Sequence, residues 1–302
     1  MNMIEMAGVT KSYGKSRGVS ALQLEVNQGE IFGFIGPNGA GKSTTIRMIM
    51  QLLSPDEGEI RVLGVPLDRE RPELRRKIGY LPSELAVYPG MSGRDMLEFA
   101  AAAHGMKLGR VEVDGYAERL GWDPDRKIKS YSLGNRKKLG IIMSLLHNPD
   151  LLVLDEPTSG LDPLIQNEFF RMLKERNEQR GMTIFFSTHV LSEVEKVCGR
   201  VAFIKEGRLN RVSKIDELSS GGDHLVTVRF RRDGNCTEAY GLAALDPQVS
   251  FDGMQHHLRT GDRLPAVLER LAGLPVHDLT IRRPTIEELF MDDYRKEGGE
   301  QK

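Results

Sequence analysis

The run Gly36-Pro37-Asn38-Gly39-Ala40-Gly41-Lys42-Ser43-Thr44 carries the most specific chemical signal in the chain. It fits the spacing G-x-x-x-x-G-K-[S/T]. Glycines there let the backbone wrap close to a ligand and turn successive N–H groups inward, at the positive end of a following helix. Such a cradle suits a polyphosphate. Within it Lys42 reaches the β- and γ-phosphates, and the Ser43 hydroxyl ligates Mg²⁺. The bland alternative is a glycine-rich turn that matches by chance. The flanks argue against it: apolar Ile31-Phe32-Gly33-Phe34-Ile35 reads as a strand, and Thr44 to Met50 reads as a helix. Strand, loop and helix form the context the motif needs.

A second constellation lies over a hundred residues later. Leu151-Leu152-Val153-Leu154 reads as a buried parallel strand, with Asp155 and Glu156 at its carboxyl end. Ligands of open α/β sheets bind at that end. Asp155 fits the Mg²⁺ shell, and Glu156 fits a general base for a water beyond the γ-phosphate. A paired surface turn is the competing reading. His189 ends another apolar strand, Thr183 to Thr188, where a γ-phosphate sensor could sit. Ser132 and the Gly134 N–H precede the basic turn Arg136-Lys137-Lys138. Positive charge at a helix N-terminus opposes the helix dipole; the run reads either as a solvated basic patch or as the seat of an anion, for which Ser132 and the Gly134 N–H are suitable donors. Tyr13 lies in a polar, glycine-flanked stretch. Locally it reads as a half-buried strand aromatic, with base stacking as the alternative.

The elements that must hold these residues are legible in outline. The chain has 302 residues, 39% hydrophobic and 28% charged, with a net charge of −1. That balance implies no bulk attraction to nucleic acid. No apolar run reaches membrane-spanning length, and no signal peptide is read at the start. Cys198 and Cys236 read as two ordinary thiols. Leu22, Leu24 and Val26 alternate, predicting an antiparallel strand after a polar stretch that runs to Ser20. Ile78 to Leu81 reads as a buried strand, and residues 88–146 as a helical block without strands. His104 on its apolar face reads as structural. Glu206-Gly207 reads as a hairpin turn. Residues 219–224 read as a linker, and 225–295 as a small α+β unit closing on a helix with a Thr285–Glu288 capping box. Its His256-His257 pair lacks a third ligand for a metal. Residues 296–302 read as a disordered tail.

In order, these features are a phosphate loop, a helical block, a Ser-x-Gly segment opening a helix, an Asp-Glu after an apolar strand, Ser159-Gly160-Leu161-Asp162, and a strand-end histidine. As a set they resemble the ATPase subunits of ABC transporters, over about residues 3–215. The resemblance implies an α/β fold. It comprises a P-loop NTPase core of the ABC ATPase type, with antiparallel β and helical subdomains, plus the small C-terminal α+β domain. It makes residues 1–218 the nucleotide-binding domain. It implies that Tyr13 stacks on adenine, that Gly36, Pro37, Asn38, Gly39, Ala40, Gly41, Lys42, Ser43 and Thr44 form the Walker A loop, and that Asp155 and Glu156 are the Walker B aspartate and catalytic glutamate. By the same resemblance Asp162 belongs to the D-loop and His189 is the switch histidine. Ser132, Leu133, Gly134 and Asn135 occupy the signature segment, which in the family contacts ATP held by a second ATPase subunit. ATP and Mg²⁺ are the implied cofactors. The implied partners are a second copy of the chain and a transmembrane permease, with no nucleic acid. The implied location is the cytoplasmic face of the cell membrane, reached through the permease.

Two positions depart from the family pattern. The signature Leu-Ser-Gly-Gly-Gln reads Tyr131-Ser132-Leu133-Gly134-Asn135, and the Q-loop glutamine expected after Leu81-Pro82 is Ser83, with Glu84 the nearest carboxylate to stand in for it. The second departure bears on coupling to the membrane partner more than on nucleotide binding. Pro284 to Phe290 looks like the closing segment of ATPases from bacterial ABC-2-type exporters, often of drugs or antibiotics. An importer remains an alternative within the class. A soluble ABC ATPase acting on ribosomes or DNA fits less well, since the chain has one cassette, no heptads and no basic excess.

Overall fold

The computed structural model describes residues 1–14, 16–67, 72–220, 224–231, 234–284 and 288. The chain divides into two compact units, Met1–Lys214 and Ile215–Lys302. The first opens with β1 (Asn2–Tyr13), β2 (Ser16–Asn27), β3 (Ile31–Ile35), α1 (Lys42–Ile49), β4 (Glu57–Val62), β5 (Val65–Pro66), α2 (Pro72–Arg75) and β6 (Ile78–Leu81). Three helices follow, α3 (Gly93–Ala103), α4 (Arg110–Leu120) and α5 (Leu133–Leu145). It closes with β7 (Leu151–Asp155), α6 (Pro163–Arg180), β8 (Thr183–Thr188), α7 (Leu191–Val197), β9 (Arg200–Lys205) and β10 (Arg208–Lys214).

Two sheets carry this unit. One has the order β2-β1-β4-β5, the other β10-β9-β3-β8-β7-β6. In the second, β3 pairs in parallel with β8 and β9, and β7 pairs in parallel with β6 and β8. Strands buried on both faces need near-continuous apolar runs, and β3, β7 and β8 are buried throughout. The β2 strand instead alternates, with Leu22, Leu24 and Val26 inward. Both sheets share one core that joins Ile4, Val9 and Leu22 to Phe32, Ile46 and Phe185. The polar stretch before Ser20 is strand from Ser16 onward. Pairing with β1 brings it into the sheet, Tyr13 opposite Ser16 and Lys11 opposite Val19, without any apolar alternation. The β9–β10 turn places Glu206 at φ 48° and Gly207 at φ 78°, the conformation of a tight hairpin.

The second unit contains α8 (Ile215–Ser220), β11 (Leu225–Phe230), β12 (Ser250–Phe251), β13 (His256–Arg259), α9 (Leu264–Ala272) and β14 (Val276–Arg282). Its sheet runs β12-β13-β11-β14. Val226, Val228 and Phe230 alternate into a small core with Leu258, Val267 and Leu271. His256 accepts a hydrogen bond from the Cys236 N–H and His257 pairs with Asp252, so both rings serve the fold. Residues 221–223 of the expected linker, most of the closing Pro284–Phe290 segment with its Thr285 cap, and the tail 296–302 lie outside the described residues.

His104 ends α3 and stacks on His147, ring centroids 3.9 Å apart. The His147 ring nitrogen lies 3.2 Å from the Ile78 carbonyl oxygen. Burial, and secondly the neighbouring His104, lower the His147 pKa from 6.5 to about 4. The unfolded chain therefore takes up a proton that the folded chain refuses between those values. Stability from this ring is present above about pH 6.5 and is lost as the pH falls toward about 4. We expect His147→Gln to flatten that dependence, by about 2 kcal/mol after allowing for partial solvent screening. Denaturant midpoints measured from neutral pH downward check it, and identical slopes in both proteins would remove His147 as the cause.

Candidate nucleotide-binding and hydrolysis site

Three parallel strands deliver the site. The register pairs Ile35 with Thr188 and Asp155 with Ser187, so β3, β8 and β7 end side by side. The Gly36 loop, His189 and Glu156 continue directly from these three strand ends and so leave one edge of the sheet. This is the carboxyl edge on which open α/β sheets bind ligands.

The loop keeps its shape because its glycines cannot be replaced cheaply. Gly41 has φ 107°, and a Cβ there would stand 2.7 Å from Val19 Cγ1. A Cβ on Gly36 would stand 2.3 Å from the Ile204 carbonyl oxygen. The loop is tied to the hairpin by Gly207 N–H to Ala40 O, 2.9 Å, and the hairpin to β2 by Ser20 N–H to Gly207 O, 2.7 Å. The loop runs directly into α1, whose leading N–H groups have no partner within the helix, the Thr45 N–H being the first to close a turn, on Gly41 O. Lys42 is buried; its Nζ donates to Gly36 O at 2.6 Å and Pro37 O at 3.2 Å and lies 3.5 Å from Glu156 Oε1. Tyr13, 43% exposed, ends β1 beside Gly18, whose carbonyl oxygen borders Gly41. The antiparallel sheet thus carries a strand-end ring, about half-buried as expected locally, to the rim of the loop.

Asp155 is only 2% exposed. Its Oδ2 accepts from Ser43 Oγ at 3.1 Å, while its buried Oδ1 has no hydrogen-bond partner among the described residues. Burial raises its pKa, against the Ser43 hydrogen bond and the nearby Lys42 and Lys137 ammonium groups. An orphaned carboxylate oxygen beside a hydroxyl is a hard-oxygen donor set and fits Mg²⁺, which takes few protein ligands and completes its shell with water and phosphate. Among the described residues no three His, Cys, Asp or Glu side chains gather into a metal cluster, and this mode of binding needs none.

Glu156 adopts φ 48°, uncommon for a residue with a side chain. Its N–H donates to Ser187 O at 2.9 Å. The bend sets one carboxylate oxygen 2.8 Å from His189 Nδ1 and the other toward Lys42. A carboxylate between an imidazole and an ammonium group, at the same sheet edge as the glycine loop, can hold and orient a water.

The other expected site residues pack differently. Ser132 caps α5, its Oγ accepting from Asn135 N–H at 3.2 Å. Leu133 is exposed, and Gly134 faces Gly160 so closely that a Cβ would stand 2.6 Å from its carbonyl oxygen. Asp162 caps α6 through the N–H groups of Leu164 and Ile165. Ser83 and Glu84 are exposed on the loop after β6. Arg136-Lys137-Lys138 is not a solvated basic patch: Lys137 and Lys138 are both buried and donate to carbonyl oxygens, Lys137 to Ser83 and Glu156, Lys138 to Gly121. Only Arg136 of the three is exposed.

Lys137 is one residue that the sequence reading missed, and Glu193 is another. Glu193 is buried and accepts from Thr158 Oγ1 at 2.6 Å and Thr188 Oγ1 at 2.9 Å, tying the turn after Glu156 to the strand before His189. An acidic residue in a first helical turn reads as solvated, so no local signal marks it.

Residues 19–159 match the family described as ABC transporter. The linearmycin resistance ATP-binding protein LnrL of Bacillus subtilis is 32% identical, the match covering 96% of this chain and 97% of that one. The chain belongs to the ABC transporter ATP-binding proteins. This ABC ATP-binding protein is likewise 34% identical to the daunorubicin/doxorubicin resistance ATP-binding protein DrrA of Streptomyces peucetius, over 95% of this chain and 91% of that one. A solved ATP-binding subunit of an ABC transporter superposes with a TM-score of 0.65 at 27% identity, covering 72% of this chain and 91% of its own. A dimeric ATP-binding cassette in a post-hydrolysis state, bound to ADP and Pi, gives 0.63 at 25% identity over 70% of this chain and 99% of its own. The ABC ATPase fold and ATP-hydrolysing class expected from the sequence are those of its relatives.

Proposed function

We propose that this ABC ATP-binding protein pairs with a second copy around ATP and drives a separate permease that exports an antibiotic, drug or lipid-like compound. The observation that carries the reading is the placement of Glu156 between Lys42 and His189, at the same sheet edge as the glycine loop and the Asp155–Ser43 pair. In it the loop N–H groups and Lys42 bind the phosphates, and Tyr13 stacks on adenine. Ser43 and, through water, Asp155 hold Mg²⁺, whose charge offsets that on the phosphate oxygens. Glu156 accepts the proton of the attacking water, and His189 fixes the carboxylate and senses the γ-phosphate.

Ser132, Leu133, Gly134, Asn135 and Asp162 form the face offered to the second copy. Exposed Leu133 and Leu164 supply apolar surface there, and the dimeric relative supports the pairing. Relatives named for resistance to linearmycin and daunorubicin support export. No helix among the described residues is long and apolar enough to cross a membrane, so attachment at the cytoplasmic face is assigned to the permease. The test is capture of tagged Glu156→Gln from gently solubilised native membranes with ATP and Mg²⁺, followed by mass spectrometry. A multi-span membrane protein in near-equal amount is expected. Ribosomal or DNA-bound proteins without one would keep the ATP chemistry and end the transport reading.

A further inference from the structure

We infer that Lys137 is a positioning residue, whose ammonium group clamps the Ser83 and Glu156 carbonyls and so sets the backbone from which the Glu156 carboxylate works. The inference rests on the role proposed for Glu156 and goes beyond it, since it assigns the residue that holds that side chain in place.

Lys137 lies in the second turn of α5 and is 4% exposed. Its Nζ donates to Glu156 O at 3.0 Å and to Ser83 O at 3.1 Å. The Glu156 N–H is already held by Ser187 O. Both peptide groups flanking the Glu156 Cα are therefore held, one by β8 and one by Lys137 together with a longer 3.5 Å hydrogen bond from the Ser159 N–H, and between them the residue keeps its left-handed φ of 48°. A lysine is a demanding choice for the space. Two carbonyl oxygens near solvent-exposed loops could take water, and an apolar side chain of the same length would fill the volume without burying a charge. Burial pulls the Lys137 pKa down, and the neighbouring Asp155 and Glu156 carboxylates pull it back up, so the ammonium group shares the field of the site. The two anchors also come from separate segments, the loop after β6 and the end of β7.

The next residue supplies a control. Lys138 is 8% exposed on the same helix and also donates to a carbonyl oxygen, Gly121 O at 3.0 Å, on the end of α4. It buries the same charge without touching Glu156. Lys137→Met, Lys137→Gln, Lys138→Met and Glu156→Gln are compared in the full-length protein for ATP affinity, kcat, KM and thermal midpoint. The expected result for Lys137→Met is ATP affinity within about threefold and a kcat reduced at least about tenfold. Lys137→Gln, which keeps a donor, regains part of kcat. Lys138→Met lowers the thermal midpoint comparably and keeps kcat within about twofold. A folded Lys137→Met with kcat within twofold of wild type overturns the inference, as does an equal kcat loss in both Met variants. If Lys137→Met does not fold, Lys137→Gln decides: a fall confined to kcat supports the clamp, and a fall in both parameters or in neither overturns it. Glu156→Gln separates the two levels. If it turns over normally, the role of Glu156 fails; if it is inactive while Lys137→Met is fully active, only the clamp fails.

Discussion

Glu156→Gln should lower ATP turnover by roughly 10²- to 10⁴-fold, the usual contribution of a positioned general base, and leave ATP affinity within about threefold. That range is about 3–5 kcal/mol of barrier. The substitution keeps the size of the side chain and its hydrogen bonding to His189, and removes only the basic oxygen. Its partners predict the split. Lys42 and His189 meet the carboxylate from two sides, whereas the phosphate cradle is built from loop N–H groups that do not depend on it. Single-turnover hydrolysis alongside equilibrium ATP titration separates the two effects. Turnover near wild type would transfer the base function to another group, with His189 the nearest candidate.

The parts of this site that were legible in the sequence are those whose signal is local. A glycine spacing, an apolar run ending in two carboxylates, and a Glu-Gly turn each need only their own neighbours to be read; they lie between β3 and α1, at the end of β7, and between β9 and β10. The place of Tyr13 beside the loop depends on the sheet, because β1 ends there next to Gly18. The buried charges could not be read this way. The run Arg136-Lys137-Lys138 looks like one basic patch, but the helix turns about 100° per residue, and α5 is buried around most of its circumference from Lys137 onward. Which carbonyl each ammonium group meets depends on the ends of α4, β6 and β7, far away in the chain. Glu193 is hidden for the same reason, since its two threonine donors lie 35 and 5 residues away and only the fold brings them together. The polar start of β2 carries no strand signal of its own, because register with β1, and not alternation, makes it strand.

Lys42→Met should weaken ATP binding by at least about 100-fold, a loss of a different kind from that of Glu156→Gln. Methionine keeps the buried stem and loses the charge, so α1 and the loop should fold as before. The ammonium group rests on Gly36 O and Pro37 O, two carbonyl oxygens of the cradle itself, and therefore stands where phosphate oxygens arrive. Charge-assisted hydrogen bonds contribute about 1.5–3 kcal/mol each, so two of them to phosphate account for a loss of this size. Removing Lys42 also leaves the Glu156 carboxylate without its 3.5 Å neighbour, and that adds repulsion toward an anionic ligand. Titration with a fluorescent ATP analogue and Mg²⁺ measures the change, and affinity within threefold of wild type would remove Lys42 from phosphate binding. The double variant tests whether this repulsion is real. With Glu156 already neutral, Lys42→Met should weaken binding less than it does in the wild-type background. Strict additivity would mean that the two side chains act on the nucleotide separately, despite lying within ion-pair distance of each other.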